Sequence, residues 1–171
     1  NYILVQLDHV ASQGGPTIQF NEVNLGGGSL VGEEWKEGAR RAVRAVLHAV
    51  GDSGHDWMIT IKNRSATSLT DGMSASAAVA VAIMAAYRGG AIRSDVALSG
   101  QITPDGRLDV VGGLPVKIEA AANAHYRAII VPRDQVLTPD WMSSTDVASR
   151  NRIQLIQAGT LDEAYHAMMV R

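Results

Sequence analysis

Residues 71–76, DGMSAS, place a serine between an Asp-Gly turn and a long apolar run. A serine at a helix start is most often a cap, and that reading competes with a chemical one. Three features favour a nucleophile at Ser74. Gly72 lets the backbone turn sharply. The helix N-terminus behind it offers unpaired N–H groups that can hold an oxyanion. Ala75, Ser76, Ala77 and Ala78 are small and keep the approach open. The chemistry would be acyl transfer by a hydroxyl, which needs a base within reach.

The five histidines, His9, His48, His55, His125 and His166, suggest no triad with an aspartate. A neutral lysine is the other option, and there are three: Lys36, Lys62 and Lys117. Lys36 falls on an amphipathic helix face and Lys62 follows an edge-like strand. Lys117 stands in the first turn of a helix, after Gly112, Gly113 and Pro115, in an otherwise apolar stretch. The positive end of the helix dipole and desolvation both push a lysine pKa down there. A lysine near neutrality can serve as general base and then as general acid.

The elements that must position these residues read as α+β (mixed α/β) in one domain, residues 1–171. Strands are expected over Tyr2–Leu7 and Thr17–Val23, joined by SQGGP as an antiparallel hairpin. A helix follows over Gly32–Val50, with Trp35, Ala39, Val43, Val46 and Val50 facing the core. Trp57–Ile61 alternates as a strand. Ser74–Arg88 reads as a helix apolar on nearly every side, hence central, and stopped by Gly89-Gly90. Strands are expected at Val96–Thr103 and Arg107–Val111 around the PDG turn, then a helix at Leu114–His125, strands at Ala128–Val131 and Ile153–Ala158, and a helix at Leu161–Val170. The stretch between Val131 and Ile153 receives no element.

Composition excludes several function classes. The net charge of −2 gives no electrostatic reason to expect nucleic acid, and Arg40, Arg41 and Arg44 read as a solvated helix face. Without cysteine there is neither a disulfide framework nor a thiolate zinc site. The apolar run around 75–87 reads as a buried helix rather than a membrane span. No GxxxxGK[ST] pattern occurs, so ATP binding would belong to a separate module. The chain begins with Asn1, which suggests a piece cut from a longer protein.

These motifs carry a resemblance. DGMSAS resembles the DGPSAG serine motif of the Lon protease family. SGQITPDGRLDVVGGLPVKIEAA at 99–121 resembles that family's run from TGEI through GRVLPIGGL to a lysine and the alanines after it. Ser74 and Lys117 are separated by 43 residues (117 − 74), the spacing of the bacterial Lon enzymes. RAIIVPRDQ at 127–135 is similar to the family's TVLIP segment, and GSLVGEEWKEGARRAV at 28–43 is weakly similar to its preceding helix.

The resemblance implies a Lon-type proteolytic domain with Ser74 as nucleophile and Lys117 as base. Ser99 falls on a position that is usually threonine, whose hydroxyl is expected to hydrogen-bond the lysine amine. Asp71 falls on the motif's acidic residue, which either ties the loop down or interacts with the lysine. Backbone N–H groups near 72–74 are expected to hold the oxyanion, with Gly72 as a supporting residue of the turn. The implied activity is serine endopeptidase action on unfolded or damaged proteins, coupled to an ATPase outside this chain, without metal or cofactor in this domain. A homo-oligomer, a six-membered ring, in the cytoplasm is implied as well. The alternative is a catalytically silent Lon-like scaffold or oligomerisation domain of an ATPase. The sequence departs from the family pattern in several places. Met73 replaces proline and Ser76 replaces glycine. NRSATSLT at 63–70 lacks the PEGATPK pattern, and Thr60 and Lys62 stand where many bacterial Lon enzymes have histidines.

Substrate is expected to add as a strand, since backbone hydrogen bonds are available whatever the side chains. The expected edge is Trp57–Asn63, with Thr60, Lys62 and Asn63 as the contacting residues. The alternative for that segment is an interior strand paired on both sides.

Overall fold

Trp57, Ile59 and Ile61 alternate with more polar residues and are fully buried, so the strand that carries them turns one whole face to the core. In a computed structural model describing residues 1–11 and 14–170, β4 (Trp57–Arg64) does so. It is flanked by β1 (Tyr2–His9) and β2 (Thr17–Phe20), in the order β1-β4-β2. β1 runs antiparallel to β4 along its whole length, from Tyr2 opposite Arg64 to His9 opposite Trp57. β2 runs parallel to β4, from Thr17 opposite Met58 to Phe20 opposite Ile61.

Two expectations are corrected here. β1 and β2 are not a hairpin, because β4 is inserted between them. Ser12 and Gln13 of the connecting SQGGP lie outside the described residues. β4 is also no free edge over most of its length: β1 pairs with all of it and β2 with Met58–Ile61, so that on the β2 side the ladder stops before Lys62. Alternation buries the face of Trp57, Ile59 and Ile61 wherever the strand sits in the sheet, and the place of β4 is set by the strands that pair with it.

α1 (Glu33–Val50) and α2 (Ser76–Arg88) cover the inner face of this sheet. Trp35, Ala39, Val43 and Val46 of α1 are buried as their spacing predicts. α2 buries Ser76, Ala77, Val79, Ala80, Val81, Ile83, Met84 and Ala85, so it is central. Two-residue strands β3 (Leu30–Val31) and β5 (Leu69–Thr70) pair in parallel beside it. They are too short to leave an alternation in the sequence.

The second layer is parallel: β6 (Val96–Leu98), β9 (Ala128–Pro132) and β10 (Gln154–Ala158), in the order β10-β9-β6. Between β6 and β9 come the small antiparallel pair β7 (Gln101–Ile102) and β8 (Leu108–Asp109) around PDG, and helix α3 (Leu114–Asn123). The unassigned stretch holds a 3-10 turn at Arg133–Leu137 and α4 (Trp141–Arg150); α5 (Leu161–Met168) closes the chain. α4 fully buries only Ser144 and Ala148, with Trp141 and Val147 packed partly buried against the second cluster, and this broken stripe is too short to betray it. β9 is buried on both faces, as strands of parallel sheets are. Ala128 and Ile130 face the main core with α2 and α5, whereas Ile129 and Val131 face a second cluster with Leu114, Ile118, Ala148 and Ile153. No helix among the described residues is long and apolar enough to cross a membrane.

Candidate active site

Asp71 and Gly72 set the turn before Ser74. Gly72 has φ +94°, a conformation that a side chain disfavours. A Cβ there would meet nothing within 4 Å, so glycine is required for its backbone and not for space. The Asp71 carboxylate accepts the Gly72 N–H at 2.9 Å and the Trp35 N–H at 3.1 Å. It thereby caps α1, whose own N-cap residue, Gly32, has no side chain to do so. A Cβ on Gly32 would collide with that carboxylate. These N–H bonds, Gly72 first, lower the Asp71 pKa. Asp71 makes no ion pair with Lys117. Of the two roles left open for it, the geometry favours tying the loop down.

α2 starts later than the apolar run suggests, at Ser76, because the Ser76 N–H closes a tight turn on Met73 C=O at 3.0 Å. Ser74 sits on that turn, half-buried, and its hydroxyl does not cap the helix. Within the expected 72–74 stretch, the N–H of Gly72 is taken by Asp71. Among the described residues, the N–H groups of Met73 and Ser74 make no hydrogen bond.

The Ser74 turn is stitched to the segment after β6. Gly100 N–H donates to Ser74 C=O and Ala77 N–H to Gly100 C=O, both at 3.1 Å. Ser76, seen in the sequence only as a departure, is 3 % exposed, and its Oγ accepts the Ile102 N–H at 2.9 Å. Ser99 is buried next to Gly100, and its N–H donates to Ile130 C=O at 3.0 Å. Its hydroxyl is not hydrogen-bonded to Lys117.

Lys117 lies in the first turn of α3, which begins after Gly113 with Pro115 in the tolerant position. Leu114 and Ile118 on either side of it are fully buried. Lys117 is half-buried and, among the described residues, has neither an ion pair nor a side-chain hydrogen bond. Desolvation alone lowers its pKa. The approach to α3 is held by Gln135, which sequence reasoning passed over. Its fully buried amide accepts the Val111 N–H at 3.1 Å and donates to Val111 C=O at 2.8 Å. A glutamine after a strand carries no signal that would have singled it out.

The three expected substrate residues are not brought to Ser74 as a strand edge. Thr60 and Lys62 point to the sheet face away from the helices. Lys62 Nζ donates to Val23 C=O, and Thr60 lines an open depression with Gln19, Phe20, Asn21, Glu22 and Val23. Asn63 is buried and donates through Nδ2 to Thr70 Oγ1 at 3.1 Å. Elsewhere, His55 Nδ1 lies 2.9 Å from Ser53 Oγ and His9 Nδ1 3.1 Å from Asp56. These are separate exposed pairs with no shared Ser-His-Asp relay. No group of three or more metal-ligating side chains occurs among the described residues.

Residues 27–171 match the family model described as the Lon protease (S16) C-terminal proteolytic domain. The chain is 34 % identical over 104 residues to the Archaeal Lon protease of Pyrococcus abyssi, covering 58 % of this chain and 10 % of that protein. It is 31 % identical over 175 residues to the Lon protease of Aquifex aeolicus, covering 92 % of this chain and 21 % of that protein. With the Lon protease of Chloroflexus aggregans it shares 29 % identity over 147 residues, covering 82 % and 18 %. The chain thus spans about a fifth or less of the length of these curated relatives.

Proposed function

Because this chain belongs to the Lon protease family, through its S16 C-terminal proteolytic domain, we propose that it is a serine-type endopeptidase working through a Ser74–Lys117 dyad. The observation that carries this reading is the half-buried Lys117 amine on the first turn of α3, without a partner among the described residues, whose pKa desolvation lowers. An amine that loses its proton more easily than an ordinary lysine is what a hydroxyl nucleophile needs.

In the proposed reaction, neutral Lys117 takes the Ser74 proton as Oγ attacks the peptide carbonyl carbon. The oxyanion is held by the N–H groups of Ser74 and Met73. The Lys117 ammonium then protonates the leaving amine, the C–N bond breaks, and an ester remains on Ser74. Water, deprotonated by Lys117, hydrolyses the ester and restores the hydroxyl. Ser99 Oγ is assigned the task of orienting the Lys117 amine. Catalytic hydrogen bonds of this kind are often long until substrate is bound.

The family suggests unfolded or damaged proteins as substrates, a homo-oligomeric ring, and a cytoplasmic setting. Any ATP-driven unfolding would reside in a module outside residues 1–171. A silent scaffold is the competing reading. The two separate on treatment with a fluorophosphonate or a peptidyl boronate, together with turnover of a labelled unfolded protein. The wild-type chain should be modified at Ser74 and should cleave, whereas Ser74→Ala should do neither. Equal turnover by both proteins would reject Ser74 as the nucleophile. No labelling and no cleavage by either would favour the scaffold.

A further inference from the structure

Three hydrogen bonds hold the nucleophile turn against the segment 100–102, and they differ in kind. Two join main-chain groups, Gly100 N–H to Ser74 C=O and Ala77 N–H to Gly100 C=O, and any residues would supply them. The third depends on a side chain, Ser76 Oγ accepting from Ile102 N–H. Its position matters because Ile102 belongs to the β7–β8 pair, which has only two residues in each strand. That pair leads from Ser99 at one end to Val111, α3 and Lys117 at the other. Within the hairpin the Thr103 N–H is taken by Arg107 C=O, so the Ile102 N–H points off the hairpin and into α2. Ile102 is 2 % exposed, and without an acceptor its N–H would be buried and unpaired.

We propose that Ser76 is a positioning residue for the Ser74–Lys117 pair, its buried hydroxyl fixing the β7–β8 hairpin, and through it Ser99 and α3, against the nucleophile turn. The inference rests on the acyl-transfer reading above. Glycine, which the family motif carries at this position, has no acceptor to offer, so the clamp is specific to chains with a hydroxyl here. The turn and β8 are held on the far side by main-chain bonds, Leu108 N–H to Gly159 C=O and Leu161 N–H to Gly106 C=O, whereas on the nucleophile side β7 is tied by the Ser76 hydroxyl. In the proposal, the Ser76 bond sets how β7, and the chain that leads from it to α3, lies against the nucleophile turn, and its loss lets the packing around Lys117 loosen.

Ser76→Ala keeps Cβ and removes only the acceptor. Its kcat on a short peptide should fall about tenfold, the scale of one lost positioning hydrogen bond, with KM changed by less than about twofold. As water gains access, the Lys117 midpoint should move up toward the ordinary lysine value. NMR of 13C-labelled lysine reads that midpoint without turnover, and only three lysines have to be assigned. A purely structural Ser76 would lower Tm while leaving kcat and the Lys117 midpoint unchanged, and that result overturns the proposal. If Ser76→Ala does not fold, Ser76→Cys keeps the shape with a poor acceptor and is expected to show the same two shifts; their absence counts equally against the clamp. A wild-type chain without turnover, in which Ser76→Ala still moves the Lys117 midpoint, would refute the peptidase reading and leave the clamp standing. Normal wild-type turnover with an unchanged variant would refute the clamp alone.

Discussion

Replacing Gly72 by alanine should weaken both stability and acylation, and the two losses have one cause. Gly72 has φ +94° and a Cβ there would touch nothing within 4 Å, so no steric collision with a neighbour enters. The backbone penalty for an L-residue in this region is about 1–2 kcal/mol. Alanine also restricts the unfolded chain, which returns about 0.4–1 kcal/mol. The net destabilisation is about 1 kcal/mol, and for a domain of this size that lowers Tm by about 2–4 °C. Relief of the strain would rotate the turn that presents Ser74, so the rate of fluorophosphonate inactivation should fall as well. D-alanine at the same position separates the contributions. It favours positive φ, so the strain disappears while the restriction of the unfolded chain remains, and Tm should equal or exceed that of the wild type. With no cysteine in the chain, ligation at position 75 followed by desulfurisation gives the native Ala75. Equal melting temperatures for the L- and D-alanine proteins would refute the backbone argument. A lowered Tm with an unchanged inactivation rate would refute the link between this turn and Ser74.

Lys117→Arg should abolish turnover, with no rescue at high pH, because guanidinium stays protonated; wild-type kcat should rise with pH through the lowered Lys117 pKa, and a flat profile would exclude lysine as the base. Lys117→Met should abolish turnover but stabilise the chain at neutral pH. Burial penalises the ammonium, so the folded state binds fewer protons than the unfolded one, and the advantage of methionine should shrink as pH approaches and passes the ordinary lysine value. Thermal melts across that range check the sign. Asp71→Asn should lower Tm at neutral pH, since the depressed carboxylate pKa contributes stability above the ordinary aspartate value and loses it as pH falls. The gap between the two proteins should therefore close in acid, and a gap that widened would contradict the capping role.

The two residues proposed as nucleophile and base are legible in the sequence, because a serine after Asp-Gly and a lysine after Gly-Gly-Leu-Pro are local patterns. The helices with apolar periodicity were legible too, α1 and α2 above all. What escaped was set by distant partners. The central place of β4 depends on which strands flank it, and alternation within Trp57–Arg64 is the same at an edge or in the middle. α4 offers only Trp141, Val147 and Ala148 to the second cluster, too short and broken a stripe to stand out in the sequence. Asp71 reads as a turn residue, and its service to α1 depends on the approach of a helix start 36 residues earlier. Ser76 and Gln135 are ordinary polar residues until the fold buries them against Ile102 and Val111.

The double burial of β9 makes one strand a probe of both halves of the domain. Ile129 and Ile130 are adjacent in sequence, yet their side chains enter different clusters, one packed with Leu114 and Ile118 of α3 and the other with α2 and α5. Methyl labels on this single dipeptide therefore report on two environments through two resolved signals. A ligand captured at Ser74 would be felt by Ile130 through α2, whereas a shift of α3 would be felt by Ile129. The ratio of the two responses measures whether the nucleophile side and the lysine side of the domain move together or apart.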